Sequence, residues 1–238
     1  MCLRCTTHLG RRGFLSLSSI AAIGAGAVGS GLMARPARAA TALTADEALA
    51  KLKDGNARYV AGPQLCEDNM LKQRADVAKS QAPWASILTC SDSRVTPELI
   101  FGGVSLGELF VARNAGNMAD TATMGTIEYG AEHLGTPLVV VLGHETCGAV
   151  VAACDVVKTH ARLPGSIGPM VNAIVPAALA MKGKPGDFVD NTVRESARRT
   201  AHKIATQSPV IKHLEHEDKV KVVYARYDLQ SGAVEFLG

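Results

Sequence analysis

Aromatic residues are scarce: one Trp, four Tyr and five Phe make up 4% of the 238 residues. No basic block accompanies them, so the pairing of cationic groove and stacking rings that nucleic-acid binding uses is missing, and no nucleic-acid partner is expected. Internal repeats and low-complexity tracts are also absent beyond the first forty residues. Those forty contain no acidic residue. A membrane span needs roughly 20 apolar residues, and the one candidate stretch, ending near Met33, is interrupted by Gly24, Gly26, Gly29 and Gly31.

What the first forty residues do contain is ordered. The Arg11-Arg12 pair precedes Phe14-Leu15, a moderately apolar stretch follows, and ARPARAAT ends it with a small-residue A-x-A site. That order is an export signal of the twin-arginine form, with cleavage expected after Ala39. The expected organisation is therefore a signal peptide over 1–39 and a single domain over 40–238, periplasmic or secreted, with the twin-arginine machinery as a partner. Five of the 25 Lys and Arg fall in the signal, so the remainder carries 20 against 22 acidic residues, a net charge of −2. About 200 residues suffice for one domain with a sizeable core.

Cysteine is sparse too. Cys2 and Cys5 lie in the signal, which leaves Cys66, Cys90, Cys147 and Cys154. Four short apolar runs read as strands: ASILTC, LFVAR (109–113), PLVVVLG (137–143) and VKVVYAR (220–226). They alternate with helical patterns: TADEALAKLKDGNARYVAG with a Thr44/Glu47 capping box, NMLKQRADVAKSQ, ADTATMGTIEYGAEHLG, CGAVVAACDVVKTHA, SIGPMVNAIVPAALAMKG and DNTVRESARRTAHKIATQ. In the first of these, Leu49, Leu52 and Val60 fall on one helical repeat. Alternation of this kind predicts an α/β fold, a mostly parallel sheet of four strands covered by helices. The Ser231-Gly232 turn adds an antiparallel edge strand. Residues 44–82 form an N-terminal helical arm.

Ligands of open parallel sheets gather at the carboxyl ends of the strands. There, Cys90 follows ASILT, Arg113-Asn114 follows LFVA, and His144 follows PLVVVLG. Two thiols and an imidazole suit zinc, a borderline-soft ion. His144-x-x-Cys147 at the mouth of a helix turns both side chains to one point. Cys90 arrives from another strand, unlike the paired short spacings of a closed structural site. Cys154 lies about 10 Å further along the helix and reads as a core thiol. Cys66 reads as a free thiol, and His213 and His216 read as part of a solvated helix end. Three ligands leave a fourth position for water, which zinc activates. Asp92 stands near enough to hydrogen-bond that water, and Arg94 near enough to pin Asp92.

CSDSRV, GELFVARNAGN, TMGTIEYGAEHLG, GHETCGAV and YDLQSGAV together resemble the β-class carbonic anhydrases, in the right order across nearly all of 44–238. The resemblance implies one Zn2+ per subunit on Cys90, His144 and Cys147, and Asp92 and Arg94 as the catalytic dyad. It implies hydration of carbon dioxide to bicarbonate and a proton, and an obligate homodimer able to pair into a tetramer. A related hydrolase acting on carbonyl sulfide or carbon disulfide is the rival enzyme, and a noncatalytic zinc- or bicarbonate-binding module the rival of another class. Trp84 lies six residues before Cys90, further than the Trp of members that bind bicarbonate noncatalytically. Gly148 and Val95 are expected to leave room for the substrate, and His160 or His202 to serve as proton shuttle.

A twin-arginine route carries folded cargo, so metal can enter before Cys90 and Cys147 meet an oxidising compartment. Changing Arg11 and Arg12 to Lys is expected to hold active protein in the cytoplasm, as fractionation and immunoblotting would show. Unchanged export of the double variant would reject the route.

Overall fold

The computed structural model describes residues 41–62, 74 and 77–238. The expected signal, Cys66 and most of the second helical pattern lie outside these residues. One five-stranded sheet organises the rest, in the order β2-β1-β3-β4-β5. Its strands are β1 (Ala85–Cys90), β2 (Leu109–Asn114), β3 (Leu138–His144), β4 (Lys221–Tyr227) and β5 (Val234–Phe236). The first four are parallel and β5 pairs antiparallel with β4, the arrangement that the alternating pattern predicts.

Sequence character follows position. The central strands β1 and β3 are buried at every residue, as helices on both faces require. β4 alternates buried with more exposed residues, and edge strand β2 buries only Ala112. In chain order β2 is laid on one side of β1 and β3 on the other, so the topological switch falls beside β1. Its carboxyl end and that of β3 bound the crevice where such sheets hold ligands.

Eight described helices surround the sheet: α1 (Ala45–Ala61), α2 (Pro97–Ile100), α3 (Thr121–Glu132), α4 (Gly148–Thr159), α5 (Ile167–Asn172), α6 (Val175–Met181), α7 (Phe188–Gln207) and α8 (Pro209–His216). The Thr44–Glu47 capping box starts α1, and Leu52 is fully buried. Val60, on the same expected repeat, is 49% exposed, whereas its neighbour Tyr59 turns inward and meets Tyr227 and Gly232. SIGPMVNAIVPAALAMKG forms two helices rather than one. Pro176 lacks an N–H and is accommodated in the first turn of α6, so the helix restarts there. A further helix, α8, follows Ser208-Pro209, where the Ser208 hydroxyl accepts from the Ile211 N–H.

The core has three parts. Leu52, Trp84, Ile87, Val95 and Phe101 pack on one face of the sheet, and Ile127, Val139, Ala197, Ile204 and Ile211 on the other. The third surrounds Cys90 and Cys147 with Val150, Val171, Ile174 and Val193 from the helices that follow β3. Helix α1 is anchored by buried Asn56, which donates to the Ile100 and Gly232 carbonyls and accepts from the Val234 N–H.

Next to Asn56, Gly55 lets α1 touch the end of α2: a Cβ there would collide with the Phe101 carbonyl. Gly55→Ala is therefore expected to cost about 1–3 kcal/mol as overpacking, read as a lower midpoint in urea unfolding. An unchanged midpoint would contradict this close crossing.

Candidate metal centre

Cys90 ends β1, His144 ends β3, and Cys147 caps α4. Because β1 and β3 are neighbours in register, Thr89 lies opposite Leu142, and the Thr89 hydroxyl donates to the Leu142 carbonyl at 3.0 Å. This brings Cys90 and His144 to the same edge. The intervening turn folds back through Thr146, whose φ of 50° is left-handed, and carries Cys147 toward Cys90. All three side chains are at most 6% exposed.

Their donor atoms lie within 4.8 Å of one another, and the two Sγ atoms are 3.8 Å apart. Two sulfurs each about 2.3 Å from one ion at a tetrahedral angle stand about 3.8 Å apart. His144 Nδ1 lies 2.8 Å from the Glu145 carbonyl, which only accepts, so Nδ1 carries the proton. Nε2 is left as a lone-pair donor, buried and without a hydrogen-bond partner among the described residues. The unpartnered nitrogen and the sulfur spacing both fit a tetrahedral dication.

The thiols respond to each other. Cys147 donates to Cys90, and with the adjoining His144 imidazole and the Gly116 and Asp92 N–H groups this outweighs burial and brings the Cys90 thiol down to about 4. Cys147, holding the shared proton beside that thiolate, is pushed far up. A metal ion held by the two sulfurs and His144 would replace the proton and relieve the conflict. The position of Cys147 at the positive end of the α4 dipole also favours a thiolate.

Asp92 lies at the rim. Its carboxylate accepts from Arg94 Nε at 2.9 Å and Nη2 at 2.7 Å, and from the Arg94 backbone N–H at 3.0 Å. This fork holds Asp92 well below the usual carboxylate range. Oδ2 stands 3.9 Å from His144 Nε2, so an ionised acceptor faces the cluster.

Several residues to which the sequence assigns no role support the cluster. Arg113, from β2, donates to the Cys90 carbonyl at 3.1 Å and the Asp92 carbonyl at 2.7 Å, pinning the Cys90–Asp92 segment. Gly116 donates its N–H to Cys90 Sγ at 3.5 Å. Glu145 accepts from the Leu229 N–H, while Arg226 reaches Asp190 and Asp228 and approaches Glu145. These contacts brace the carbonyl that orients His144. Arg113 closes an apolar strand, which hints at the site, but its partners follow from register alone.

The remaining candidates lie elsewhere. Cys154 is buried along α4, its Sγ contacting the Thr192 hydroxyl at 3.5 Å, and burial pushes its thiol up. His213 lies 3.5 Å from Glu217 on the exposed end of α8, and Cys90, His144 and Cys147 form the one such metal-type cluster among the described residues. His160 caps α4 in a left-handed conformation and His202 lies on α7, both exposed. A Cβ on Gly148 would meet nothing within 4 Å, whereas Val95 is wholly buried in the core beside α1. Trp84 lies beyond the amino end of β1, with its Nε1–H donating to Glu108 and the Lys51 ammonium 4.3 Å from its ring centre.

In metal-free protein, the thiolate ultraviolet absorbance should already be present at pH 6, because that lies above the Cys90 value of about 4. Cys90→Ser should abolish it. If thiolate appears only in the ordinary range near 8.5, the shared-proton account is wrong.

A family model described as carbonic anhydrase matches residues 85–234. The carbonic anhydrase of Mycolicibacterium smegmatis is 35% identical over 184 residues, covering 77% of this chain and 89% of that protein. Among solved structures, the β-carbonic anhydrase CafA of Aspergillus fumigatus is 27% identical with a TM-score of 0.62, covering 81% of this chain and 89% of that one. A tetrameric β-carbonic anhydrase of Sordaria macrospora shares the fold at 24% identity and a TM-score of 0.62, over 72% and 87% of the two chains. With the matched segment running from β1 into β5 and enclosing the whole Cys-His-Cys cluster, this chain belongs to the β-class carbonic anhydrases.

Proposed function

We propose that this chain hydrates carbon dioxide reversibly to bicarbonate and a proton, using one Zn2+ per subunit held by Cys90, His144 and Cys147. The observation that carries the reading is the buried donor set, with sulfurs 3.8 Å apart and an unpartnered imidazole nitrogen. Zinc bound there would supply Lewis acidity, making water a nucleophile near neutral pH.

The chain's own groups account for the rest. Asp92 is ionised and therefore only accepts hydrogen bonds, so it orients the attacking oxygen through that oxygen's hydrogen. Arg94 occupies the carboxylate with a two-pronged bond and prevents it from turning into the donor cluster. Open space above Gly148 admits a small linear substrate. The proton leaves for solvent, with exposed His160 or His202 as relay candidates. In this reading the protein is exported folded by the twin-arginine route, and it works as a dimer that can pair into tetramers.

Stopped-flow hydration assays on the zinc-loaded protein test the reading, and an inactive wild type would overturn it. Arg94→Ala is expected to lose about 100-fold or more in kcat, in the range seen when a preorganised polar contact is removed. Because no donor to the metal is lost, zinc content should stay at one per chain. Loss of zinc from that variant would show that Arg94 serves the fold and not the reaction.

A further inference from the structure

A cavity of about 270 Å³ lies between the start of α3, the α5–α6 segment and the outer face of α7. Nothing in the reaction proposed above uses it. Ser196 and Thr200 lie one turn apart on α7 and line it, 6% and 8% exposed. On this same helix the Thr192 and Thr206 hydroxyls each bond back to the carbonyl four residues earlier, both at 2.7 Å. Ser196 and Thr200 do not, and their hydroxyls have no hydrogen-bond partner among the described residues. Two hydroxyls of otherwise buried side chains are thus left open to a cavity.

Arg199 and Lys203 fall on the same helical stripe and rise to its exposed rim. Arg199 gives Nε to Glu195 at 2.6 Å, which leaves the outer end of its guanidinium free. Lys203 attracts the Asp120 carboxylate through space without forming an ion pair with it, while Asp120 accepts from the Thr123 N–H that it caps. Glu195 is shared between Arg198 and Arg199. Counting Glu195 and Arg198, which lie outside the cup, three cations meet two carboxylates, a surplus of one positive charge. The opposite wall is apolar, built from Met118, Met170 and Ala177.

Each half of this cup excludes a different class of ligand. An inorganic anion would leave the methionine wall against water. An uncharged apolar molecule would seal off the two hydroxyls and the rim cations without partners, at the desolvation cost of each. The volume equals about nine water molecules at about 30 Å³ each, room for roughly eight or nine non-hydrogen atoms. We propose that the cup is a binding site for a small organic monocarboxylate. Its carboxylate accepts from Ser196 and Thr200 and pairs with Lys203 and Arg199, and its short chain lies on Met118 and Met170.

Hexanoate, with eight non-hydrogen atoms, is a suitable probe. Titrated calorimetrically into the zinc-loaded protein, it should bind once per chain with a Kd of about 1 mM. Hexan-1-ol and inorganic phosphate should each bind at least about tenfold more weakly, and Thr200→Val and Lys203→Met should each weaken hexanoate by about tenfold. Carbon dioxide hydration without hexanoate should be unchanged in both variants. Lys203 is exposed, so its variant keeps the test valid if Thr200→Val disturbs packing. Absence of saturable binding, or binding indifferent to Lys203→Met, would overturn the proposal, the latter placing hexanoate elsewhere, the metal centre included. A change of oligomeric state in Lys203→Met, seen by sedimentation, would also overturn it by making the cup a subunit contact. Binding is read here without the hydration assay, so the site stands or fails apart from the reading of the metal centre.

Discussion

Two sulfurs 3.8 Å apart in a buried pocket cannot both be thiolates unless a cation lies between them. Without one, the pair retains a proton, Cys90 ionises at the expense of Cys147, and the His144 lone pair has no partner. The centre is electrically incomplete until a dication arrives. Most of the other features of this edge of the sheet keep that incompleteness in place. Relaxation of any donor toward solvent would satisfy it without metal.

The fold achieves this by making each donor the last residue of something rigid. Cys90 and His144 terminate two central strands whose every residue is buried, and Cys147 caps a helix. Arg113 holds two carbonyls of the Cys90 segment, and Gly116 offers its N–H to the sulfur. The Glu145 side chain and Arg226 brace the carbonyl that sets the imidazole tautomer. Asp92 is kept separate. Its fork with Arg94 leaves a charged acceptor facing the cluster at 3.9 Å from His144 Nε2.

Much of this was legible in the sequence because it is carried by side chains close together along the chain. C-x-D-x-R and H-x-x-C at the ends of largely apolar runs place the three donors and the Asp92–Arg94 ion pair, and those runs mark the two central strands. The roles of the bracing residues were not legible. Gly116 acts through its backbone, and Arg113 and Arg226 find their partners only once strand register is known. In the fold, Pro176 and the Ser208-Pro209 pair mark helix starts in hindsight. An apolar periodicity spanning Pro176 read as one helix, because the phase of the pattern survives the break. Val60 kept the α1 repeat in sequence but lost its burial, since periodicity records a face and not what covers it.

The most direct test of the central claim is X-ray absorption at the zinc edge on the fully loaded protein. Two sulfurs at about 2.3 Å and nitrogen or oxygen donors at about 2.0–2.1 Å are expected, four ligands in all. Mutating Cys154 should leave the spectrum unchanged. Three or four sulfurs, or a first shell without sulfur, would contradict a centre built from Cys90, His144 and Cys147.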